Sequence, residues 1–197
     1  DLRRVRPTIL VSVPRVYEKA QARIDATLAS SALARLAFRC AVGAGWRRHL
    51  RAHAAPGACQ LTQPIDDLCL RLLDARVGKP LRDQFGGRLR VAVSGGAALA
   101  PAIARNFIAL GVEIVQGYGM TETSPVVSAN APGDNDPSTV GRPLRGVEVR
   151  IGQQQELQVR GPGVMRGYWN RPEDTERAFV DGWLRTGDQA DIVDGRI

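Results

Sequence analysis

The chain has 197 residues, room for one sizeable domain or two small ones, and its 44% hydrophobic and 24% charged content excludes wholesale disorder and a fibrous repeat. A net charge of +7 suits nucleic acid, an anionic membrane surface or a polyanionic small substrate. No apolar run reaches the ~18 residues of a membrane span, and Cys40, Cys59 and Cys69 lack C-x-x-C spacing, which argues against a disulfide framework or zinc knuckle and for the reducing cytosol.

In chain order, the β-rich run Thr8 to Val13 predicts a short strand. Pro14, well placed as a first helical residue, then opens a helix with Val16, Ala20, Ile24 and Leu28 at i, i+4 spacing. Ser31 to Ala54 predicts a second helix, weakened at Gly43 and Gly45, whose Arg35, Arg39, Arg47, Arg48 and Arg51 read as a solvated basic face. That face leaves peripheral contact with anionic lipid at the inner membrane face open. His49 and His53 share a helix face, but the glutamate of H-E-x-x-H is missing and the arginines would repel a cation, so no metal is assigned to them. Pro56 and Gly57 break the helix; "PIDDLCLRLLDARVG" starts another, whose Ile65, Leu68, Leu72 and Leu73 are expected to face a core, and Gly86 and Gly87 close it off.

"RLRVAVSGGAALAPAIARNFIALGVEIVQGYG" reads as strand, glycine turn, helix from Pro101 to Leu110 with Gly111 as its stop, and strand again: a βαβ unit with parallel pairing. Past Pro125 the turn-rich "NAPGDNDPST" gives way to short β segments. Val147, Val149 and Ile151 alternate with polar residues, as do Leu157 and Val159 across the "GQQQ" turn, predicting one hairpin of a small antiparallel sheet or barrel. Asp194-Gly195 reads as a hairpin turn whose second strand is cut short, the mark of a piece of a longer protein. The expected fold class is α/β: a parallel βαβ subdomain over 1–136 with a helical insertion at about 15–87, then an antiparallel β-rich, distorted-barrel subdomain over 137–197.

Chemistry gathers at the two glycine-bearing strand ends. Gly95 and Gly96 would bring bare backbone to the end of a parallel strand, where α/β sheets hold ligands, although a tight structural turn explains them equally well. In "VQGYGMTETSP", Tyr118 offers a flat face for a heterocycle, Thr121 and Thr123 offer hydroxyls to phosphate, and Glu122 offers the hard oxygen that Mg²⁺ prefers; the plainer reading is a threonine-rich turn with a solvated glutamate. In "DGWLRTGD", Asp188 could accept hydrogen bonds from the vicinal hydroxyls of a ribose. Tyr168, Trp169, Glu156 and Trp183 read as packing and turn residues.

"SGGAAL", "VQGYGMTETSP", "VGRPLRGVEVRI", "ELQVRGPGVMRGYWNRPEDT" and "DGWLRTGD" resemble, in order and approximate spacing, the motifs of AMP-forming acyl-CoA synthetases of the adenylate-forming superfamily, and "SVPRVYEK" resembles the long-chain fatty acyl subgroup. The resemblance implies activation of a fatty acid by ATP to acyl-AMP and pyrophosphate, then thioester formation with CoA. It implies that Gly95, Gly96 and Ala97 lie along adenine and the acyl group, that Gly117, Tyr118 and Gly119 line the other side of the nucleotide, and that Asp188 binds the ribose. Thr121 and Glu122 would be the catalytic pair, on the α-phosphate and on Mg²⁺. Aryl-acid ligases and fatty acyl-AMP ligases share this pattern; a basic nucleic-acid-binding module has only the charge behind it, so no nucleic-acid partner is assigned. Oligomeric state is not legible.

The superfamily's Gly-, Ser- and Thr-rich phosphate loop and its adenylation lysine are both missing from the matched motifs, and Lys19 and Lys79 resemble neither. These 197 residues alone are therefore expected to be inactive; thioester formed from fatty acid, ATP and CoA by the isolated piece would overturn that expectation.

Overall fold

The computed structural model describes residues 2–53 and 62–197; the break expected at Pro56 and Gly57, and Cys59, lie outside them. The chain divides into two compact units, Asp1–Val115 with Ala131–Pro137 and Gln116–Asn130 with Ser138–Ile197.

The first unit runs α1 (Leu2–Val5), β1 (Ile9–Ser12), α2 (Pro14–Ala29), α3 (Ala32–His53), α4 (Gln63–Leu73), α5 (Gly78–Gln84), β2 (Val91–Ser94), α6 (Pro101–Ala109) and the start of β3 (Ile114–Tyr118). Proline stands in the first turn of α2 and of α6, where its fixed φ suits a helix and its missing N–H leaves no donor unpaired. β1 and β2 pair in parallel, Ile9 opposite Val91 through Ser12 opposite Ser94, and the Ala92 N–H donates to the Glu113 carbonyl at 2.7 Å just ahead of β3. Tyr17, Phe85 and Phe107, all fully buried, form the centre of this core. Tyr17 stacks on Phe85 at 6.3 Å and meets Phe107 edge-on at 6.0 Å, both arrangements that aromatic quadrupoles favour.

Gly45, which looked like a weak point of its helix, has a packing reason: a Cβ there would collide with the Ala109 carbonyl, so α3 crosses α6 backbone against backbone. The turn-rich segment is anchored through Asn135, whose side-chain amide donates to the Ile114 carbonyl and to Glu113 Oε1, each at 2.8 Å.

The helix predicted after residue 63 differs from expectation in two ways. It is split: α4 ends at Leu73, and Arg82 of α5 reaches back across the break to clasp both oxygens of Asp74 at 2.8 and 2.7 Å. Its burial is also turned around, because Ile65, Leu68 and Leu72 are 69, 58 and 67% exposed while Asp66 is fully buried. Only Leu73 of the expected apolar row packs against the core. The cause is an ion cluster: Arg47 pairs with Asp66 at 2.5 Å, Arg51 at 2.8 Å, and the Thr62 hydroxyl donates at 3.2 Å. Two arginines read as a solvated face thus orient α4 on α3 through a carboxylate that burial without partners would strongly disfavour.

The second unit takes up β3 at Gln116 and adds β4 (Ser128–Ala129) and β5 (Arg142–Pro143), antiparallel throughout, with Tyr118 opposite Ser128. A separate four-stranded antiparallel sheet, ordered β6-β7-β9-β8, comprises β6 (Glu148–Ile151), β7 (Glu156–Arg160), β8 (Phe179–Val180) and β9 (Trp183–Gln189), with α7 (Pro172–Ala178) leading into β8. The expected hairpin forms in the expected register, Val149 opposite Val159 and Ile151 opposite Leu157, and Val127, Leu157 and Val159 are the buried centre. Asp194 and Gly195 take positive φ values of 49° and 74° between the paired residues Val193 and Arg196, as a tight hairpin turn requires. The fold is α/β with a parallel-containing sheet and a separate antiparallel sheet. Among the described residues no helix is long and apolar enough to cross a membrane.

The hydrogen bonds from Arg47, opposed by burial and reinforced by Arg51, hold the Asp66 carboxyl down at about 2. Because its folded value lies below the ordinary carboxylate one, the stability it confers is complete above about pH 4 and lost as pH falls towards 2. Asp66→Ala should cost about 3 kcal/mol in urea unfolding at pH 7 by leaving two guanidiniums unpaired. The gap from wild type should narrow as the measurement is repeated towards pH 2.

Candidate functional site

In the first unit, β2 ends at Ser94 and the turn expected to carry a ligand follows it. Gly95 is tied down by its N–H to the Ser12 carbonyl at 3.1 Å. Gly96 has φ +81°, which L side chains rarely adopt, and a Cβ there would meet open space; Ala97 is exposed beside it. Backbone conformation, not crowding, therefore calls for glycine at 96.

The other expected site residues lie in the second unit. Gly117 faces β4, where a Cβ would stand 3.1 Å from the Ser128 carbonyl oxygen, and at Gly119 a Cβ would collide with the Pro125 carbonyl. The loop after β3 is folded back on itself that tightly, an intramolecular reason for bare backbone at 119. The chain then makes a single 3₁₀ turn, Thr121–Thr123. Thr123 was expected to offer its hydroxyl outward. It is buried, and its Oγ1 donates to the Met120 carbonyl at 2.9 Å and accepts the Met120 N–H at 3.1 Å. That hydroxyl builds the turn, whereas Thr121 remains exposed.

Glu122 at the centre of the turn is gripped from two sides by the loop between β7 and α7. The Met165 N–H donates to its carbonyl at 2.7 Å, and the Tyr168 hydroxyl donates to its carboxylate Oε1 at 3.0 Å. A Cβ on Gly163 would press to 2.6 Å on the Thr123 carbonyl, so that loop must approach without a side chain. The bond to Glu122 raises the Tyr168 hydroxyl above its ordinary value and keeps it a donor. From sequence Tyr168 reads as a packing residue, because no local signal reveals a partner 46 positions away. Trp169, read the same way, is 90% exposed, while Trp183 does pack, between the guanidiniums of Arg150 and Arg160 at 4.6 and 4.7 Å.

Asp188, on β9, is exposed and accepts a hydrogen bond from the Tyr118 hydroxyl on Oδ2 at 2.5 Å; its own N–H donates to Thr186 Oγ1 at 3.1 Å. Burial, reinforced by the bond to Asp188, pushes the Tyr118 hydroxyl up to about 12. Tyr118 therefore stays a donor across physiological pH and orients Asp188, with Oδ1 left without a donor among the described residues. Close by, a cavity of about 730 Å³ is lined by Met120, Glu156, Tyr168, Arg185, Thr186 and Gly187. Burial opposes ionisation of Glu156, but Arg185 at 3.0 Å and the Gly187 N–H at 3.1 Å outweigh it and hold the carboxyl below the usual range. Glu156, which reads from sequence as a packing or turn residue, therefore lines this cavity as a carboxylate paired with Arg185.

Over residues 1–169 the chain matches the AMP-binding enzyme family. The chain belongs to that family. It is 37% identical over 188 residues to the long-chain-fatty-acid CoA ligase FadD15 of Mycobacterium bovis, an alignment covering 93% of this chain and 30% of the relative. The solved structure of ATP-bound MatB from Rhodopseudomonas palustris superimposes with a TM-score of 0.54 at 32% identity, over 64% of this chain and 28% of that one. A benzoate CoA ligase from Burkholderia xenovorans shares the fold across 99% of this chain and 31% of its own, with a TM-score of 0.60 at 23% identity. The chain thus spans about 30% of the length of the curated relative it matches. Glu122, Tyr118 and Tyr168 all fall inside the family match, and Asp188 lies beyond it.

An absorbance titration at 295 nm checks the Tyr118 contact. Tyr118→Phe should remove one of the two tyrosinate steps near pH 12, the other being that of buried Tyr17; loss of a step near 10 instead would contradict the burial of the Tyr118 hydroxyl and, with it, its bond to Asp188.

Proposed function

We propose that the chain is the central portion of a fatty acid CoA ligase that activates a long-chain fatty acid with ATP to acyl-AMP and then transfers the acyl group to CoA. The observation that carries this reading is the double hold on Glu122, backbone and carboxylate both fixed by the β7–α7 loop, in a chain whose curated relatives over 93% of its length bear that name. The half-buried glutamate thus has its backbone position and its carboxylate orientation held together. The fold shared with a benzoate CoA ligase does not shift the substrate towards aryl acids, since at 23% identity it reports architecture alone.

Glu122 is the residue suited to Mg²⁺. Among the described residues no group of three or more His, Cys, Asp or Glu could hold an ion unaided. One hard carboxylate oxygen free of donors is nonetheless what Mg²⁺ takes from a protein when phosphates and waters complete its octahedron. Bound there, the ion would neutralise charge on the phosphates. The chain's own residues position the substrate: Thr121 presents an exposed hydroxyl towards the α-phosphate, and Asp188, steered by Tyr118, keeps Oδ1 for a ribose hydroxyl. In the second unit Gly117 and Gly119 supply backbone for the nucleotide, and Gly95, Gly96 and Ala97 of the first unit are assigned to it by the family resemblance alone. Positioning and charge complementarity are what such transfers ask of side chains.

The substrates are then small molecules, ATP, fatty acid and CoA, in the cytoplasm, with contact at the inner membrane face as the route by which an apolar acid arrives. The test is acid-dependent exchange between ATP and pyrophosphate on the full-length protein, followed by thioester formation with CoA. Glu122→Ala should lower exchange by on the order of 10²-fold. Tyr168→Phe should keep most of the maximal rate but raise the Mg²⁺ needed for half of it by about tenfold, as loss of a residue behind a metal ligand does. Wild-type exchange by Glu122→Ala would remove the basis for the proposal.

A further inference from the structure

We propose that Glu156 is a positioning residue of the second unit: its carboxylate pins the bulge of β9 that presents Asp188, and so sets the aim of Asp188 at the ribose. This role presupposes the ribose contact proposed for Asp188. β7 and β9 pair Gln158 with Arg185 and next Glu156 with Gln189, so that Thr186, Gly187 and Asp188 all stand opposite Leu157. Surplus residues of this kind fall out of the main-chain ladder, and their N–H groups need other acceptors. Side chains supply them. Glu156 Oε1 accepts the Gly187 N–H at 3.1 Å, and the Thr186 hydroxyl accepts the Asp188 N–H at 3.1 Å while donating to the Leu157 carbonyl at 2.7 Å.

The carboxylate is suited to this task because its second oxygen is held as well. Arg185 Nε donates to Oε2 at 3.0 Å, and Arg185 is the last paired residue before the bulge, so one side chain ties the entrance of the bulge to its middle. As an ion pair the contact contributes little, since the Arg185 side chain is 51% exposed. Its value is orientation. Gly187 has φ +75° and no side chain to brace it, so the bond from its N–H to Glu156 is what keeps the bulge from turning. Tyr118 holds Asp188 by the carboxylate, and Thr186 holds it by the N–H. Glu156 fixes the backbone between those two holds, and a slack bulge would let Asp188 follow Tyr118 alone.

The experiment uses the full-length protein and reads two quantities. Amide hydrogen exchange of the peptide carrying Thr186 to Asp188 reports the hold on the bulge, and Glu156→Ala should speed it about tenfold. Exchange between ATP and pyrophosphate, run with ATP and with 2′-deoxyATP and 3′-deoxyATP, reports the aim of Asp188. Wild type should favour ATP, and Asp188→Ala should lose the preference. Glu156→Ala should lose about tenfold of it by raising KM for ATP, with KM for the fatty acid unchanged. Glu156→Gln keeps an oxygen for the Gly187 N–H without the charge; it should fall between wild type and Glu156→Ala, and it preserves the comparison if the alanine variant melts early. Glu148→Ala removes an exposed cross-strand pair with Arg160 in the same sheet and should change neither reading. Unchanged amide exchange in Glu156→Ala would overturn the proposal, as would a preference for ATP that Glu156→Ala keeps and Asp188→Ala loses. A preference that Asp188→Ala keeps would instead overturn the ribose contact, and the positioning role with it, however amide exchange responds.

Discussion

The second unit turns on the way one glutamate is held. Met165 takes the backbone carbonyl of Glu122 and Tyr168 takes its carboxylate, so the loop between β7 and α7 fixes both where the residue sits and where it points. A single hydrogen bond to an exposed carboxylate is weak against solvent, but a backbone bond beside it removes the turn's freedom to rotate away. The rest of the neighbourhood serves the same end. Thr123 closes the turn from within, Gly119 allows it to fold back on Pro125, and Gly163 lets the opposing loop come within reach.

Close backbone approach recurs as the price of order in both units. Gly45 lets α3 lie on α6, Gly78 makes room for the Asp74–Arg82 pair, and Gly119 and Gly163 do the same around Glu122. At these positions the glycine is needed for what a Cβ would hit, whereas at Gly96 it is needed for a left-handed φ. The two causes look alike in a sequence and carry different meaning: the first is internal packing, the second leaves the space above the backbone free.

Charge is used unevenly along the helices. The Arg47–Asp66–Arg51 cluster costs desolvation of a fully buried carboxylate, and in return it sets which face of α4 meets α3. The consequence is a row of exposed aliphatic side chains, Ile65, Leu68 and Leu72, on the opposite face. Other arginines of the same helical region, Arg23 and Arg76, have no such acid among the described residues and stand at the border of an apolar recess. The excess of basic residues is therefore in part committed to structural ion pairs, which net charge alone does not express.

By itself the sequence determined the elements whose causes are local. Pro14 and Pro101 start their helices, Val149 and Val159 pair because alternation admits one register, and Asp194-Gly195 turns because its φ values must be positive. The strand that ends at Tyr118 and the tight turn after it were legible too, since Gly117 and Gly119 mark the change from extended chain to turn. Tertiary structure alone decided which face of α4 is buried, that Thr123 points inward, and that Tyr168 belongs to Glu122 rather than to a core. Periodicity and dihedral limits act over a few residues, whereas a hydrogen bond between positions 122 and 168 or an ion pair between 47 and 66 exists only once the chain has brought them together.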